Sequence, residues 1–318
     1  MVGACVVTAG CTKQTPNALD PKGSSASTLT TIWWLLFGAA LVVFVVVTVL
    51  ILWGAFRRPG GDLPGKMRPG TFIGVGGVAI PALILAGVGV LTVWGVNRLR
   101  SIDPGAMRIE VEGRQYWWVV RYPSEGVITA NEIHVPAGRQ IDLVLTSSDV
   151  VHSFWVPQLD GKTDHVPGQT NHMRMQADTP GVYLGQCAEF CGLSHAWMRL
   201  RVVVDEPAAF AAWADAERAS ANPATDAAAQ RGREVLQSTA CAGCHTVRGT
   251  DARGDLGPDL THVGSRATIG AGVLPNNPQN VADFIRRPQD IKPGNVMPPV
   301  PLSDGQVNDL VAYLESLQ

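Results

Sequence analysis

The sequence predicts a membrane-anchored, multidomain chain: a hairpin of two transmembrane helices, an antiparallel β-sandwich and an all-α C-terminal domain. Three observations carry that prediction. Two long apolar runs, roughly residues 32–56 and 72–96, lie near the start. Short alternating segments rich in Val, Ile and Tyr, broken by Pro and Gly, fill residues 107 to about 205. A Cys-x-x-Cys-His motif, Cys241-Ala-Gly-Cys244-His245, then sits between helical patterns near the other end. At 318 residues the chain has room for two or three compact units, and its net charge of -2 gives no electrostatic case for nucleic-acid binding.

The apolar runs exceed the ~20 residues that a helix needs to cross a bilayer. Stretches such as Ala39-Ala-Leu-Val-Val-Phe-Val-Val-Val lack the polar face of a buried amphipathic helix. The loop between the runs holds Arg57, Arg58, Lys66 and Arg68 against Asp62, and positive loops stay cytoplasmic, so both termini are expected outside. Ahead of the first run, Thr8-Ala9-Gly10-Cys11 resembles the processing box of a bacterial lipoprotein, although no basic segment precedes it. Cys5 and Cys11 fall in this segment. The expected organisation is an N-terminal segment over 1–30, the hairpin over 31–100, the sandwich over 101–206, a helix and flexible linker over 207–225, and the last domain over 226–318.

Within the sandwich region, segments such as Met107-Arg-Ile-Glu-Val and Gln140-Ile-Asp-Leu-Val-Leu alternate as half-buried strands do. Met173 and Met175, two apart, are expected to face the core, and His134 to face outward; His165 and His172 show no ligand spacing. The helix over 206–219 has Pro207 in its first turn, where its missing N–H costs nothing. The last helix opens with Ser303 as N-cap and carries an apolar stripe at Val307, Leu310, Val311 and Leu314.

Between residues 187 and 198 two thiols, an imidazole and a thioether are concentrated, at Cys187, Cys191, His195 and Met198, and His152 upstream offers a second imidazole. Soft sulfur donors with imidazole favour copper over hard cations. That donor set exceeds what one small copper site uses, so two metals sharing the thiolates are expected. The same offsets would put these side chains on one helix face, but Gly185 and Gly192 and the strand-like flanks favour a loop between two strands. Structural zinc leaves Met198 without a place.

Cys241-Ala-Gly-Cys244-His245 is the attachment pattern of c-type haem, with two thiols for the vinyl groups and His245 for the iron. Met297 is the best sixth ligand, because Met/His ligation suits electron transfer; His262 is the competitor. A thioredoxin-like pair or half a zinc ribbon lacks its surrounding pattern here.

Three segments together carry a resemblance: His152-Ser-Phe-Trp-Val-Pro, Lys162-Thr-Asp-His-Val-Pro-Gly-Gln-Thr-Asn, and Cys187-Ala-Glu-Phe-Cys-Gly-Leu-Ser-His-Ala-Trp-Met. With the haem motif, the chain resembles subunit II of haem-copper cytochrome c oxidases of the caa3 type, which carry a fused C-terminal cytochrome c domain. The resemblance covers nearly everything after the first thirty residues. It implies a cupredoxin-like sandwich and a class I cytochrome c domain. It also implies the dinuclear copper centre CuA on His152, Cys187, Cys191, His195, Met198 and the backbone carbonyl of Glu189. The Glu189 side chain is implied in holding magnesium against subunit I, and His195 is the ligand nearest the electron exit. Electrons are implied to pass from cytochrome c through haem c and CuA to haem in subunit I, where oxygen is reduced to water with proton pumping. Subunits I and III, membrane lipid and an external cytochrome c are the implied partners, in a bacterial cell membrane that the chain crosses more than once. Two departures stand out: Tyr116, followed by Trp117, occupies the position where the family usually has Trp as electrons enter, and Gln169 stands where Arg is frequent. The competing readings are the corresponding subunit of a nitric oxide reductase and a non-catalytic membrane cytochrome or copper-binding protein.

Overall fold

The computed structural model describes residues 16–56 and 68–318. Cys5, Cys11 and the loop residues Arg57, Arg58, Asp62 and Lys66 lie outside the described residues, and with them the lipoprotein reading. Two units are formed: one is Ser27–Ser101, the other Ile102–Gln318 together with the segment ending at Ala26.

In the first unit, helices α1 (Ser24–Phe56) and α2 (Gly70–Arg100) are long and apolar enough to cross a membrane, and none of the residues in their most apolar windows is buried within the chain. Nothing in the described chain covers those side chains, as lipid-facing helices require. Part of α2, Ile73–Ala79, is wound as a π-helix, and the Ile80 N–H reaches back five residues to the Val75 carbonyl. Pro81 follows, and its lack of an N–H removes a bond of the ordinary ladder there. Helix α1 begins at Ser24, ahead of the apolar run. The chain just before it is tied to the sandwich, for the Lys22 N–H donates to the Gln158 carbonyl (2.7 Å) and the Ala26 N–H to the Leu159 carbonyl (3.2 Å).

The sandwich has two five-stranded sheets, ordered β3-β2-β1-β5-β8 and β4-β10-β9-β6-β7. Their strands are β1 (Met107–Arg114), β2 (Trp117–Tyr122), β3 (Val127–Ala130), β4 (Glu132–Pro136), β5 (Ile141–Ser147), β6 (His152–Trp155), β7 (Lys162–His165), β8 (Asn171–Met175), β9 (Gly181–Cys187) and β10 (Arg199–Asp205). Pairing is mostly antiparallel, with one parallel pair per sheet, β1 with β5 and β10 with β4. Both parallel partners are separated by several other strands, which supply the long connection that parallel pairing needs. Alternation sets the core: Ile109 and Val111 of β1, Leu143 and Leu145 of β5, and Val202 and Val204 of β10 point inward with Trp118 and Phe154. Met173 and Met175 join them, as their spacing predicted.

Helix α3 (Pro207–Arg218) packs Phe210 and Trp213 on this sandwich. It also covers the outward face on which alternation places His134. His134 is half-buried because the Trp213 ring stacks on it at 4.3 Å, while its Nδ1 bonds to the Asp205 carboxylate at 2.7 Å. Strand alternation alone cannot foresee a helix folded over the outer face.

The C-terminal domain is helical: α4 (Ala227–Ser238), one helical turn at Cys241–Cys244, α5 (Pro278–Arg286) and α6 (Asp304–Ser316). Asp226 caps α4 by accepting from the Ala228 and Ala229 N–H groups, and Ser303 and Gln306 form a reciprocal capping box on α6. Helices α4 and α6 cross at Gly232, where an added Cβ would overlap the Asp309 backbone, so only glycine permits this approach. Val307, Leu310 and Val311 are buried in the core and Leu314 packs against it, with Leu236 and Ile285 opposite. The linker is held rather than free: the Ala221 N–H donates to the Arg248 carbonyl at 3.0 Å, and Ala221 and Ala224 pack against this core.

Candidate functional site

Strand β9 ends at Cys187 and β10 starts at Arg199, so the copper-type motif is the irregular loop between two antiparallel neighbours, with a single tight turn at His195–Trp197. Strand β6 runs beside β9 and delivers His152 next to Cys187. Cys187 Sγ lies 3.9 Å from His152 Nδ1, 3.9 Å from Cys191 Sγ and 3.1 Å from the Glu189 carbonyl oxygen. Cys191 Sγ in turn lies 3.6 Å from His195 Nδ1 and 3.9 Å from Met198 Sδ. All six nominated donors therefore converge on one pair of thiols. His152 and Met198 are fully buried, and Cys187 and Cys191 nearly so.

These spacings fit metal sharing. Two donors on one ion at the ~2.0–2.3 Å of first-row metal bonds stand roughly 3.3–3.8 Å apart. The electrostatics agree. Contact between the two thiols pushes Cys187 well below the ordinary thiol range and Cys191 above it, so the pair holds a thiolate sharing one proton. His152 is oriented from behind: its Nε2 bonds to the Asp149 carboxylate at 2.8 Å, which leaves Nδ1 aimed at Cys187. Burial pulls the His152 imidazole down, but its hydrogen bonds to Asp149 and Cys187 win and raise it.

The haem-type residues stand around a cavity of about 410 Å³. Cys241, Cys244, His245 and Met297 all line it, with apolar Leu260 and Ile285 among the walls. The His245 Nδ1–H donates to the Pro258 carbonyl at 2.8 Å, and burial keeps the imidazole below its usual range, so Nε2 keeps a free lone pair. His262, the rival sixth ligand, does not line the cavity; its Nε2 bonds to the Ala219 carbonyl at 3.0 Å.

The other histidines stay outside both sites. His172 is exposed and bonds to Asp142. His165 is fully buried opposite His152, its Nδ1–H donating to the Thr146 carbonyl at 2.8 Å.

The sequence was compared with known proteins. The family model "Cytochrome C oxidase subunit II, periplasmic domain" matches residues 124–206, and "Cytochrome c" matches 229–318. A cytochrome c oxidase subunit 2 from Alkalihalophilus pseudofirmus is 37% identical, over 95% of this chain and 90% of that one. One from a Bacillus species, strain PS3, is 32% identical over 83% of this chain and 80% of that one. The chain belongs to the cytochrome c oxidase subunit 2 family. The crystal structure of the periplasmic domain of oxidase subunit II from Bradyrhizobium japonicum is 30% identical over 37% of this chain and 97% of that one, with a TM-score of 0.36.

Family membership directs attention to the ground between the two sites. Tyr116 and Trp117, nominated where electrons enter, are 4% and 9% exposed and line the haem-type cavity. They therefore sit under the helical domain and are closed to a free carrier in this arrangement. The Tyr116 hydroxyl accepts from the Leu193 N–H at 3.1 Å, and the Gln115 side-chain amide donates to the Cys191 carbonyl at 2.5 Å. Tyr116 thus touches both the copper-type loop and the cavity. Gly192 makes that contact possible, since its φ is +127° and an added Cβ would lie 2.5 Å from the Tyr116 hydroxyl.

Sequence reasoning missed Asp149, Glu132 and Lys292. Asp149 stands three residues before His152, a spacing that suggests a partner carboxylate. Nothing in the sequence singles out Glu132 or Lys292 from other surface-type residues.

Proposed function

We propose that this chain is the electron-input subunit of a terminal oxidase, taking electrons from cytochrome c at haem c and passing them through CuA to haem in subunit I, where oxygen is reduced to water with proton pumping. The observation that carries this reading is the convergence of two thiols, two imidazoles, a thioether and a carbonyl within one buried loop. When bound, CuA and haem c each supply one-electron storage that changes little in geometry on reduction. The residues supply the rest. Cys187, Cys191, His152, His195, Met198 and the Glu189 carbonyl would hold the copper. Cys241 and Cys244 would anchor haem covalently, and His245 and Met297 would supply ligands to its iron. Asp149 fixes the tautomer of His152, and the Pro258 carbonyl fixes that of His245.

Subunit I is the partner for the loop face. Around His195, Phe190 is 76% exposed and Trp197 40%, an apolar rim suited to burial against protein. Glu189 is exposed beside them, so its carboxylate is free to hold magnesium at that junction. The two apolar helices anchor the chain in a bacterial cell membrane with both termini and both redox sites on the external face. Such a chain binds and orients redox groups and leaves oxygen chemistry to subunit I.

The test is copper and haem per chain in the purified full-length protein, produced with haem-attachment machinery and copper. Two coppers and one covalent haem are expected; haem without tightly held copper would overturn the reading. Met198→Ala or His195→Ala should then cut donor-to-oxygen electron flow at least tenfold with haem reduction unaffected.

A further inference from the structure

Between the two sites runs a seam, one edge of which, at Tyr116, Thr268, Gly270 and Lys292, also lines the haem-type cavity. From the sandwich, Glu132 reaches into the helical domain, where its carboxylate accepts from the Ala267 N–H (3.1 Å), the Thr268 N–H (3.2 Å) and the Thr268 hydroxyl (3.2 Å). From the helical domain, Lys292 reaches the other way. Its ammonium donates to the Tyr116 carbonyl (2.6 Å) and the Gly270 carbonyl (2.7 Å). Glu132 is 7% and Lys292 3% exposed. Among the described residues no carboxylate forms an ion pair with Lys292. Close backbone contacts flank them: the Arg199 N–H donates to the Ala271 carbonyl at 3.0 Å and the Ser194 hydroxyl to the Pro293 carbonyl at 2.6 Å.

Burying an ammonium is costly, and burial pulls Lys292 down to about 7. Two carbonyls from opposite sides of the seam offset that cost only while the sides are together. Glu132 differs: Arg201 of its own sandwich lies 4.0 Å from its carboxylate, and the helical domain adds three hydrogen-bond donors. Lys292 is satisfied by backbone carbonyls, and Glu132 by two backbone N–H groups, the Thr268 hydroxyl and Arg201, so the contacts specify one docking register more than they add stability.

We propose that Lys292 is a positioning residue that pins the loop bearing Met297 to the turn bearing Tyr116, with Glu132 as its reciprocal pin, so that the haem domain works in one docked pose instead of swinging on its linker. This rests on the electron-input reading. It places Tyr116 as a fixed spacer between the cavity and the copper loop, and removes any need for a domain motion before transfer.

The test is hydrogen exchange on the full-length chain in detergent, for wild type, Lys292→Met, Lys292→Arg and Glu132→Gln. The amides of Thr268 and Arg199 report the seam; those of Val111 and Leu310 report the two cores. Lys292→Met is expected to speed exchange at the seam at least tenfold and leave both cores unchanged, with Lys292→Arg, which keeps donors, showing a smaller change. Glu132→Gln should speed exchange at Arg199, away from its own contacts. In the same samples, electron transfer from photoreduced haem to copper should slow at least tenfold in Lys292→Met, while haem reduction by a small external reductant is unchanged. Unchanged seam amides with intact cores would overturn the proposal. If Lys292→Met loosens a core as well, unchanged exchange at Arg199 in Glu132→Gln overturns it instead. Copper and haem content is read on the same material: a chain without copper would sink the electron-input reading but leave the seam result standing.

Discussion

In the copper-type loop the donors already touch one another, 3.1–3.9 Å apart and buried under the end of a sandwich whose core closes on itself. In the helical domain the nominated residues instead surround a cavity of about 410 Å³. One region is a formed cradle that a metal completes; the other is a shell whose core is finished by its cofactor. The difference follows from the elements. Strands β6, β9 and β10 are fixed by their ladders before any metal binds, whereas α5 and α6 border the haem-type cavity.

The largest test of this contrast is removal of haem attachment. Cys241, Cys244, His245 and Met297 line a cavity of about 410 Å³, so the domain lacks part of its packing without the group that fills it. Cys241→Ser/Cys244→Ser should therefore lose protection of the α6 amides in hydrogen exchange while β1 and β10 remain protected. Equal protection of α6 with and without haem would break the comparison.

A second prediction asks where the sandwich departs from a well-closed core. Asp160 is buried, and burial pushes its carboxyl up to about 7, against a backbone bond from the Gly161 N–H. The folded form then binds a proton that the unfolded chain, ionising near 4, has released. Stability contributed by the neutral group is present below pH 4 and lost as pH rises through about 7. Asp160→Asn should accordingly raise stability at pH 8, by at most about 4 kcal/mol, with little change at pH 4, measured as sandwich melting at both values.

Gly192→Ala is expected to cost about 1–3 kcal/mol, because it combines a left-handed φ with a Cβ driven against Tyr116. Melting temperature and exchange at the Leu193 amide should both move. Copper removal should lower the sandwich melting temperature, as loss of a tightly held native-state ligand requires, while a chelated chain keeps its sandwich far-UV signal. Collapse of the sandwich on chelation would show that the cradle is not pre-formed.

Much of this was legible in the chain itself. The two apolar helices, the strand pattern, the haem motif and the capped last helix are local signals, each set by spacing within one element. The copper-type donors were legible for the same reason, since four of the five side chains fall within twelve residues. His134 faces outward as alternation predicts, but its cover, Trp213, lies far along the chain and no local pattern shows it. Helix α1 begins at Ser24 because polar residues continue the helix ahead of its apolar run.

The sequence by itself determined which residues can hold copper and haem, through donor chemistry and short-range spacing. Only the tertiary structure decided that His152 meets Cys187, that Met297 and not His262 shares the cavity with His245, and that Lys292 and Glu132 cross the seam in opposite directions. Such pairings join residues tens to well over a hundred positions apart. Their geometry is fixed by sheet order and helix packing, which no local pattern encodes.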